Sequence, residues 1–381
     1  MKTFEEINEK IRKGKAVVVT AEEIIDIVEE KGIKDAAQYV DVVTTATFGP
    51  MCSTGAFINF GHSDPPIRME KVFLNNVNAY AGLAAVDSYI GATEVSGDLG
   101  IEYGGAHVIC DLIDGKKIRL QAYAKGTDCY PKKELDTYIT KESINEAYLF
   151  NPRNCYQNYS AAVNTSDKTL HTYMGVLEPC MGNINYSTTG ELSPLLNDPY
   201  LRTIGIGTKI FLGGAPGYVS WQGTQFVSEK PRGGNGVPLS SAATLALIGD
   251  LKLMSTEFIQ PAVFEGYGIS IFVGVGIPIP VLDDELLENL SVKNKDIYTN
   301  IVDYSVPKRD KPVLGKCSYE ELRSGAVDLE GKKIKTAPLS SLYKSRLIAN
   351  KLKKWIEDGE FTLQEPIQTF PKIKSLNSLD A

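Results

Sequence analysis

Nine glycines between residues 205 and 236 make a long helix in this part of the chain untenable. Several of them flank β-branched or aromatic residues, as in the run TIGIGTKIFLGGAPGYVSW. Glycine weakens a helix interior, whereas short strands joined by tight turns accommodate it. We therefore predict strands broken by turns in this stretch.

Two capping boxes predict helices near the N-terminus. Thr3 with Glu6, and Thr20 with Glu23, have the spacing at which a hydroxyl and a carboxylate each satisfy a free backbone N–H group. The run DVVTTA at residues 41–46 is rich in β-branched residues and predicts a strand that leads into a loop.

A β-hairpin is predicted for residues 106–125, where two strand-like runs meet at the pair Asp114-Gly115. This pair tolerates the positive φ angles of a tight hairpin turn. The second run continues to Cys129 and is followed by Pro131, a residue suited to the first turn of a helix. Cys129 is therefore predicted to lie at a strand-to-helix corner.

These elements together predict a mixed α/β fold, α+β in character, with a mixed sheet, antiparallel hairpins and glycine-rich loops. Residues 339–356 carry an apolar stripe at helical spacing and predict a further helix. We expect one domain over residues 1–360, with two lobes that meet near residue 200 as the alternative. Residues 361–381 are predicted to form an extended or poorly ordered tail.

Charge and hydropathy exclude two classes of partner. The chain has 47 acidic and 40 basic residues, a formal net charge of −7, and so lacks the broad positive surface that binds nucleic acid. Its apolar stretches, such as residues 269–282, are interrupted by glycine and proline and fall short of the roughly 20 residues that span a bilayer. The acidic N-terminus does not resemble a leader peptide, so a cytoplasmic location is expected.

The cysteines show no pattern typical of a metal cluster. There are six of them: Cys52, Cys110, Cys129, Cys155, Cys180 and Cys317. No CxxC pair occurs, and the three histidines have no ligand spacing, so no iron–sulfur, zinc or other metal site is expected within the chain. The motif Gly205-Ile206-Gly207 lacks the third glycine of a dinucleotide-binding loop, so no nicotinamide cofactor is expected either.

Neighbouring residues make two of the six cysteines candidate nucleophiles. Cys129 has Lys125, Lys132 and Lys133 nearby, and cations favour the reactive thiolate. Cys52 lies in the run GPMCSTG, among small residues whose backbone N–H groups could gather around it. Local chemistry leaves the choice between these two open.

Three polar residues that follow Cys52 are candidate site residues: His62, Asp64 and Arg68. They lie in a loop rich in glycine and proline, and loops of this kind often line functional sites. The sequence His62-Ser63-Asp64 does not indicate a serine hydrolase, because adjacent residues do not converge on one reacting atom.

Long segments of the chain resemble the homocysteine-biosynthesis sulfurtransferase family of methanogens and other strict anaerobes. The segments that carry the resemblance are TTATFGPMCSTGAFINFGHSDPPIRM (44–69), EYGGAHVICDLIDGK (102–116), KGTDCYP (125–131), YMGVLEPCMGNINYSTTGELSPLLNDPY (173–200), IGIGTKIFLGGAPGYVSWQGTQ (204–225) and GYGISIFVGVGIPIPVLD (266–283). The resemblance implies transfer of sulfur to the aldehyde carbon of L-aspartate semialdehyde, which makes L-homocysteine. It also implies that Cys52 and Cys129 are the two key cysteines.

Further expectations follow from this resemblance. Some family members continue into a C-terminal pair of nucleotide-sensing CBS modules, which we expect this chain to lack. Because the chain has no cofactor signature, the electrons for the reaction are expected from a ferredoxin-like iron–sulfur protein. The sequence leaves a homo-oligomer open.

Our mechanistic hypothesis is that Cys129 carries sulfur as a persulfide and Cys52 then resolves the S–S bond. The substrate has a carboxylate and an ammonium group. Candidate substrate-binding residues are Arg68 or Arg232 for the carboxylate, Asp64 for the ammonium group, and His62 or His107 as proton donor to the departing oxygen. Two alternatives stay open: a non-catalytic subunit that hands on a persulfide, and a CoA-dependent transferase-like enzyme with a glutamate nucleophile.

Overall fold

The structure is a computed structural model that describes residues 1–379. The α-helices of this part of the chain are α1 (Phe4–Arg12), α2 (Glu23–Lys31), α3 (Ile33–Tyr39), α4 (Gly105–Ile113), α5 (Pro194–Asn197), α6 (Asp284–Leu290), α7 (Tyr319–Arg323) and α8 (Leu342–Glu357). Among these described helices, none is both long enough and apolar enough to cross a membrane.

Strands make up most of the regular structure. In chain order they are β1 (Val18–Thr20), β2 (Val42–Pro50), β3 (Gly55–Asn59), β4 (Lys71–Leu74), β5 (Val77–Ala79), β6 (Asp87–Gly91), β7 (Val95–Ser96), β8 (Gly100–Gly104), β9 (Ile118–Tyr123), β10 (Glu134–Ile139), β11 (Glu146–Asn154), β12 (Ala161–Val163), β13 (Leu170–Thr172), β14 (Gly175–Leu177), β15 (Asn183–Tyr186), β16 (Lys209–Leu212), β17 (Ala215–Gln222), β18 (Leu245–Asp250), β19 (Ile259–Phe264), β20 (Gly268–Pro280), β21 (Tyr298–Asp303), β22 (Val313–Ser318), β23 (Ala326–Leu329) and β24 (Lys332–Pro338).

The strands of residues 1–379 form three large sheets and one separate hairpin, β13 with β14. The largest sheet has the order β1-β2-β20-β16-β17-β18-β11-β3-β6, with β19 paired to β20 as its tenth strand. The second sheet has the order β10-β9-β4-β5-β7-β8, and the third has β22-β21-β12-β15-β24-β23. The pairs β1–β2, β12–β21 and β15–β24 are parallel, and the remaining pairs are antiparallel. The predicted mixed α/β fold is thus confirmed.

Helix α8 covers one end of the largest sheet, where β1, β2 and β20 lie side by side. Nine residue pairs join β2 to β20 in antiparallel register, and α8 packs across both strands with Ile348 and Leu352 fully buried. Gly274 of β20 allows this close approach, because a Cβ atom at that residue would lie 2.8 Å from Ile348 Cδ1. The C-terminal helix predicted from its apolar stripe is confirmed, although it begins at Leu342.

The N-terminal predictions are also confirmed. The Thr3 N–H group donates to the Glu6 carboxylate at 2.8 Å, and the Glu6 N–H group donates to the Thr3 hydroxyl at 3.2 Å. Thr20 and Glu23 make the same reciprocal pair, at 2.7 and 3.2 Å. The strand predicted at residues 41–46 forms most of the first half of β2.

The glycine-rich stretch at residues 205–236 contains strands β16 and β17, as predicted, and they are joined by a turn at residues 213–214. The extended segment after α8 packs against the start of this stretch. The Ile367 N–H group donates to the Ile206 carbonyl at 2.8 Å, and the Ile206 N–H group donates to the Gln368 carbonyl at 2.9 Å. The predicted extended tail is therefore attached to the body of the protein at this point.

The hairpin predicted for residues 106–125 is wrong in its first half. Residues Gly105–Ile113, which include Cys110, form helix α4, and β9 is the strand of this region. Helix α4 is buried against β19 and β20, and periodicity alone cannot separate a short buried helix from a strand. Gly115 has a φ of 76°, the left-handed conformation that commonly follows the last turn of a helix. The Asp114-Gly115 pair therefore ends a helix and does not turn a hairpin.

The strand-to-helix corner predicted at Cys129 is wrong as well. Strands β9 and β10 pair in antiparallel fashion, so residues 124–133 form the loop of a hairpin and Cys129 lies within it. Thr127 and Tyr130 exchange backbone hydrogen bonds of 2.9 and 3.1 Å, which close a tight turn around Cys129. Pro131 leads into a strand because the residues after it pair with β9. A strand therefore follows Cys129, so the thiol does not lie at the N-terminus of a helix.

A buried carboxylate fastens the N-terminal helix to the largest sheet. Asp41 is 1% exposed and accepts hydrogen bonds from Lys2 Nζ at 3.0 Å, Lys10 Nζ at 2.7 Å and the Val17 N–H group at 3.0 Å. Burial by itself would raise the pKa of Asp41, but these hydrogen bonds outweigh it, and the pKa lies below its usual value.

We predict that Asp41→Asn lowers the free energy of unfolding at pH 7 by about 1–3 kcal/mol, because it removes charge-assisted hydrogen bonds from two lysines. Since folding lowers the pKa of Asp41, its contribution is complete above the unfolded value of about 3.9 and is lost as the pH falls through the folded value. Urea unfolding followed by circular dichroism should therefore show a larger difference in the free energy of unfolding between wild type and variant at pH 7 than at pH 3.

The control for this experiment is Glu5→Gln, because Glu5 is the exposed partner of Arg12 on the same helix. Exposed ion pairs stabilise little, so its unfolding curve should stay close to that of wild type. Equal destabilisation by the two substitutions would contradict the role assigned to Asp41.

Candidate active site

A pocket opens where the loop between β2 and β3 meets the ends of β11 and β20. Its cavity volume is about 90 Å³, and a single water needs about 10–15 Å³ on the same measure. The pocket therefore has room for several waters or one small metabolite. Its wall contains Cys52, Cys155, Arg153 and an aromatic group formed by Tyr156, Tyr159, Tyr173, Phe264 and Tyr267.

Hydrogen bonds on both sides of Cys52 hold its loop in place. The Met51 N–H group donates to the Ile271 carbonyl of β20 at 2.8 Å. The N–H group and hydroxyl of Thr54 both donate to the Met51 carbonyl, at 3.0 and 2.7 Å. The buried Asn151 of β11 in turn donates to the Thr54 hydroxyl at 2.6 Å. Cys52 is exposed between these fixed points, so a small molecule can reach its thiol.

The aromatic wall carries hydroxyl groups that remain protonated. Tyr159 donates to the Tyr173 hydroxyl at 3.1 Å, and that hydroxyl lies 3.0 Å from the hydroxyl of Tyr304. Burial raises the pKa values of Tyr156, Tyr159 and Tyr267 above that of free tyrosine. These groups are therefore neutral hydrogen-bond donors at neutral pH.

Two buried hydroxyl groups of the pocket have no hydrogen-bond partner in the described chain. Ser270 is 1% exposed and Thr188 is 8% exposed. Ser270 lies on β20, two residues before Phe272, which pairs with Pro50 at the end of β2. Cys52 lies in the turn that follows β2 and lines the same pocket. Leaving a buried hydroxyl unpaired costs about 1–3 kcal/mol, so both groups are ones that a bound molecule or an ordered water would satisfy.

Arg153 is the one charged side chain among the described residues that line the pocket. Its Nε group donates to the Thr224 hydroxyl at 2.9 Å. Among residues 1–379, no carboxylate lies within ion-pair distance of its guanidinium group. The pocket thus holds a positive charge that the protein itself does not neutralise.

Cys129 lies outside this pocket, on the exposed hairpin loop, and a group of predicted site residues lies beside it. That group consists of the exposed residues His62, Asp64 and Arg68. The ring of Tyr130 stacks on the ring of His62 with centroids 6.2 Å apart, and the Lys132 N–H group donates to the Pro66 carbonyl at 3.3 Å. The loop that carries these three residues therefore lies against the hairpin loop that carries Cys129.

Strand β3 runs between the two cysteine regions. Cys52 precedes its first residue, and the loop that contacts the Cys129 hairpin follows its last residue. The four steps between its five residues, at about 3.3 Å each, place its ends roughly 13 Å apart. Within one chain, the described pocket brings Cys52 together with Cys155 and not with Cys129.

His107 and Arg232 make local structural contacts and do not line the pocket. The Nδ1 atom of His107 accepts a hydrogen bond from the Gly104 N–H group at 3.2 Å at the start of α4, and its ring stacks on Tyr103. Burial lowers the pKa of His107. The guanidinium group of Arg232 donates to two backbone carbonyls of its own region, at 2.9 and 3.0 Å.

Several pocket residues were missed by reasoning from the sequence. The run NPRNCYQNY at residues 151–159 was an available signal, because it places a cation, a thiol and two aromatic residues at the end of a strand. Ser270 and Thr188 offered no such signal, since serine and threonine are ordinary strand residues.

Among the described residues, no three His, Cys, Asp or Glu side chains form a group that could hold a metal ion.

We predict that iodoacetamide at pH 8 labels the three exposed cysteines of the native protein, Cys52, Cys129 and Cys180, before the three buried ones, Cys110, Cys155 and Cys317. Burial raises the pKa values of Cys110 and Cys317 to about 12 and also raises that of Cys155, so little of the reactive thiolate is present. Peptide mass mapping after timed labelling measures the order. All six should react in urea, and native labelling of Cys110 as fast as Cys52 would contradict the prediction.

Known proteins match nearly the whole chain. The family model described as "Homocysteine biosynthesis enzyme, sulfur-incorporation" matches residues 16–363. A Methanosarcina acetivorans protein named L-aspartate semialdehyde sulfurtransferase is 51% identical over 378 residues, which cover 99% of this chain and 74% of that protein. A Methanocaldococcus jannaschii protein of the same name is 50% identical over an alignment of 390 positions, which covers 98% of this chain and 74% of that protein. No solved structure matches the chain. The resemblance seen in the sequence is therefore confirmed, and the chain belongs to the family of homocysteine biosynthesis enzymes that incorporate sulfur.

Proposed function

We propose that this chain is an L-aspartate semialdehyde sulfurtransferase that forms L-homocysteine. Two relatives of that name support the proposal, since each is about half identical to the chain over almost its entire length. The observation that carries it is the exposed Cys52 thiol in a pocket with protonated tyrosine hydroxyls and one unneutralised guanidinium group. Such a pocket offers a nucleophile, proton donors and an anion-binding group to a small amino acid that bears an aldehyde.

The proposed reaction replaces the aldehyde oxygen by sulfur. One L-aspartate semialdehyde, one hydrogen sulfide, two electrons and two protons give one L-homocysteine and one water. The electrons have to come from a reductant, and we propose a ferredoxin-like iron–sulfur protein as their source. That partner and a cytoplasmic location stay predictions.

We propose that Cys129 carries the sulfur as a persulfide. The outer sulfur adds to the aldehyde carbon, and two electrons and two protons then remove the oxygen as water to leave a mixed disulfide on Cys129. The Cys52 thiolate attacks the Cys129 sulfur, which releases L-homocysteine and forms a Cys52–Cys129 disulfide. Hydrosulfide opens that disulfide and restores the Cys129 persulfide. This cycle requires the loop at residues 124–133 to approach the Cys52 pocket.

The surroundings of Cys129 support its role in accepting sulfur. It is exposed on a hairpin loop, so a sulfur donor can reach it from solvent. Lys125, Lys132 and Lys133 lie on the same loop and attract an anion such as hydrosulfide. On this proposal, His62 and Arg68 lie where sulfur is loaded, apart from the pocket where the aldehyde binds.

We predict that the purified chain, given L-aspartate semialdehyde, sulfide and a chemical reductant, forms L-homocysteine. Cys52→Ser should lower turnover by about 1,000-fold or more, because a hydroxyl cannot replace the thiolate. Cys180→Ser is the matched control, since Cys180 is also exposed but does not line the pocket, and its turnover should match that of wild type. Product is measured by liquid chromatography with mass detection. Equal turnover in Cys52→Ser would contradict the proposal, and no product from wild type would favour a persulfide-carrier subunit.

A second prediction concerns the site of sulfur loading. Mild oxidation followed by sulfide should increase the intact mass of the wild-type protein by one sulfur atom. Cys129→Ala should show no such adduct, because no thiol remains there to hold the outer sulfur. Peptide mapping then locates the adduct, and an adduct of equal yield in Cys129→Ala would exclude Cys129 from this role.

A further inference from the structure

We propose that Arg153 binds the α-carboxylate of the amino-acid substrate and thereby makes the enzyme specific for α-amino acids. This inference rests on the proposed function, because it takes a small amino acid as the molecule that occupies the Cys52 pocket. It assigns a role to a residue that the sequence did not single out, and it gives the carboxylate a binding site other than Arg68 or Arg232.

The first support is charge. Arg153 contributes the one formal charge of the described pocket wall, and no carboxylate of residues 1–379 pairs with it. Two other partly buried arginines are paired with carboxylates: Arg202 with Asp283 at 2.6 Å, and Arg323 with Glu191 at 3.6 Å. A half-buried guanidinium group left without a counter-ion favours an anionic ligand, and a carboxylate matches its planar geometry.

The second support is orientation. The Nε atom of Arg153 donates to the Thr224 hydroxyl at 2.9 Å. Thr224 is itself held, because its N–H group donates to the Pro152 carbonyl at 2.8 Å and its carbonyl accepts from the Thr244 hydroxyl at 3.0 Å. One edge of the guanidinium group is therefore fixed by the protein. The guanidinium group also interacts with the neighbouring Tyr156 hydroxyl, and its remaining N–H groups are left for a ligand. A group oriented before binding loses less freedom when the ligand arrives.

The third support comes from the buried hydroxyls of Ser270 and Thr188, which line the same pocket and lack partners in the described chain. A substrate held by its carboxylate on Arg153 would carry its remaining polar groups into a wall that needs hydrogen bonds. Ser270 and Cys52 line the same pocket, so the Ser270 hydroxyl is a candidate partner for a polar group of the substrate. The tyrosine ring faces can receive the ammonium group through cation–π contact.

The competing arginines are less suitable. Arg68 is exposed on the loop beside the Cys129 hairpin and does not line the pocket. Arg232 is already engaged, since its terminal nitrogens donate to the Gly236 and Ser228 carbonyls at 2.9 and 3.0 Å. Among the three arginines, only Arg153 lines the pocket.

Calorimetric binding of two unreactive probes tests the inference. L-homoserine keeps the carboxylate and ammonium groups of the substrate and has a hydroxyl in place of the aldehyde, whereas 3-aminopropan-1-ol lacks the carboxylate. Arg153→Ala should weaken L-homoserine binding about 10- to 100-fold, the usual effect of losing hydrogen bonds to a charged group. The same substitution should leave the weak binding of 3-aminopropan-1-ol unchanged. Arg153→Lys should fall between, because lysine keeps the charge but not the paired geometry.

Arg309→Ala, at an exposed arginine outside the pocket, is the control and should bind L-homoserine as wild type does. Failure of the wild-type protein to bind L-homoserine, unchanged binding in Arg153→Ala, or equal loss of both probes would each overturn the inference. Arg153→Gln serves if Arg153→Ala unfolds at a lower temperature.

Turnover separates this inference from the proposed function. If wild type forms L-homocysteine and Arg153→Ala has an unchanged KM for L-aspartate semialdehyde, the inference fails and the proposed function stands. If wild type forms no L-homocysteine yet L-homoserine binding depends on Arg153, the proposed function fails and the carboxylate site stands. The expected result is a KM raised about 10- to 100-fold in Arg153→Ala with a smaller change in kcat.

Discussion

The antiparallel pairing of β2 with β20 is the constraint on which the rest of the structure depends. It joins distant parts of the chain through nine residue pairs, from Val42 opposite Pro280 to Pro50 opposite Phe272. The pairing fixes where α8 packs and where the Cys52 loop leaves the sheet. Because side chains alternate between the two faces of a strand, a shift of one residue in this register would turn Ser270 away from the pocket.

The chemistry of the pocket depends on which charged groups this packing brings into its wall. Burial keeps the tyrosine hydroxyls protonated, and the described wall contains one guanidinium group and no carboxylate. A negatively charged ligand is therefore favoured at one point, while the rest of the wall offers neutral donors and aromatic faces. This distribution suits a molecule with a carboxylate at one end and a neutral carbonyl at the other.

Sequence reasoning succeeded where local residues settle the structure and failed where distant contacts do. The reciprocal hydrogen bonds predicted at Thr3 and Thr20 formed, because each pair needs only residues three positions apart. The N-cap of α2 is nevertheless Glu22. Helix α4 was predicted as a strand because seven of its nine residues are buried, and only His107 and Asp111 mark its polar face. The segment after Cys129 became a strand because β9 offered it a pairing edge, which outweighed the helical preference read from Pro131.

Local residue types made Cys52 and Cys129 candidate nucleophiles and indicated the mixed character of the fold, and the resemblance of long segments indicated the family of the chain. Which side chains share a pocket with Cys52 was settled by the tertiary structure alone. Arg153, Thr188 and Ser270 come from separate parts of the chain and meet there through sheet pairing and packing. Residue type and spacing describe what lies a few positions away, whereas a binding site is formed by contacts between strands that are distant in sequence.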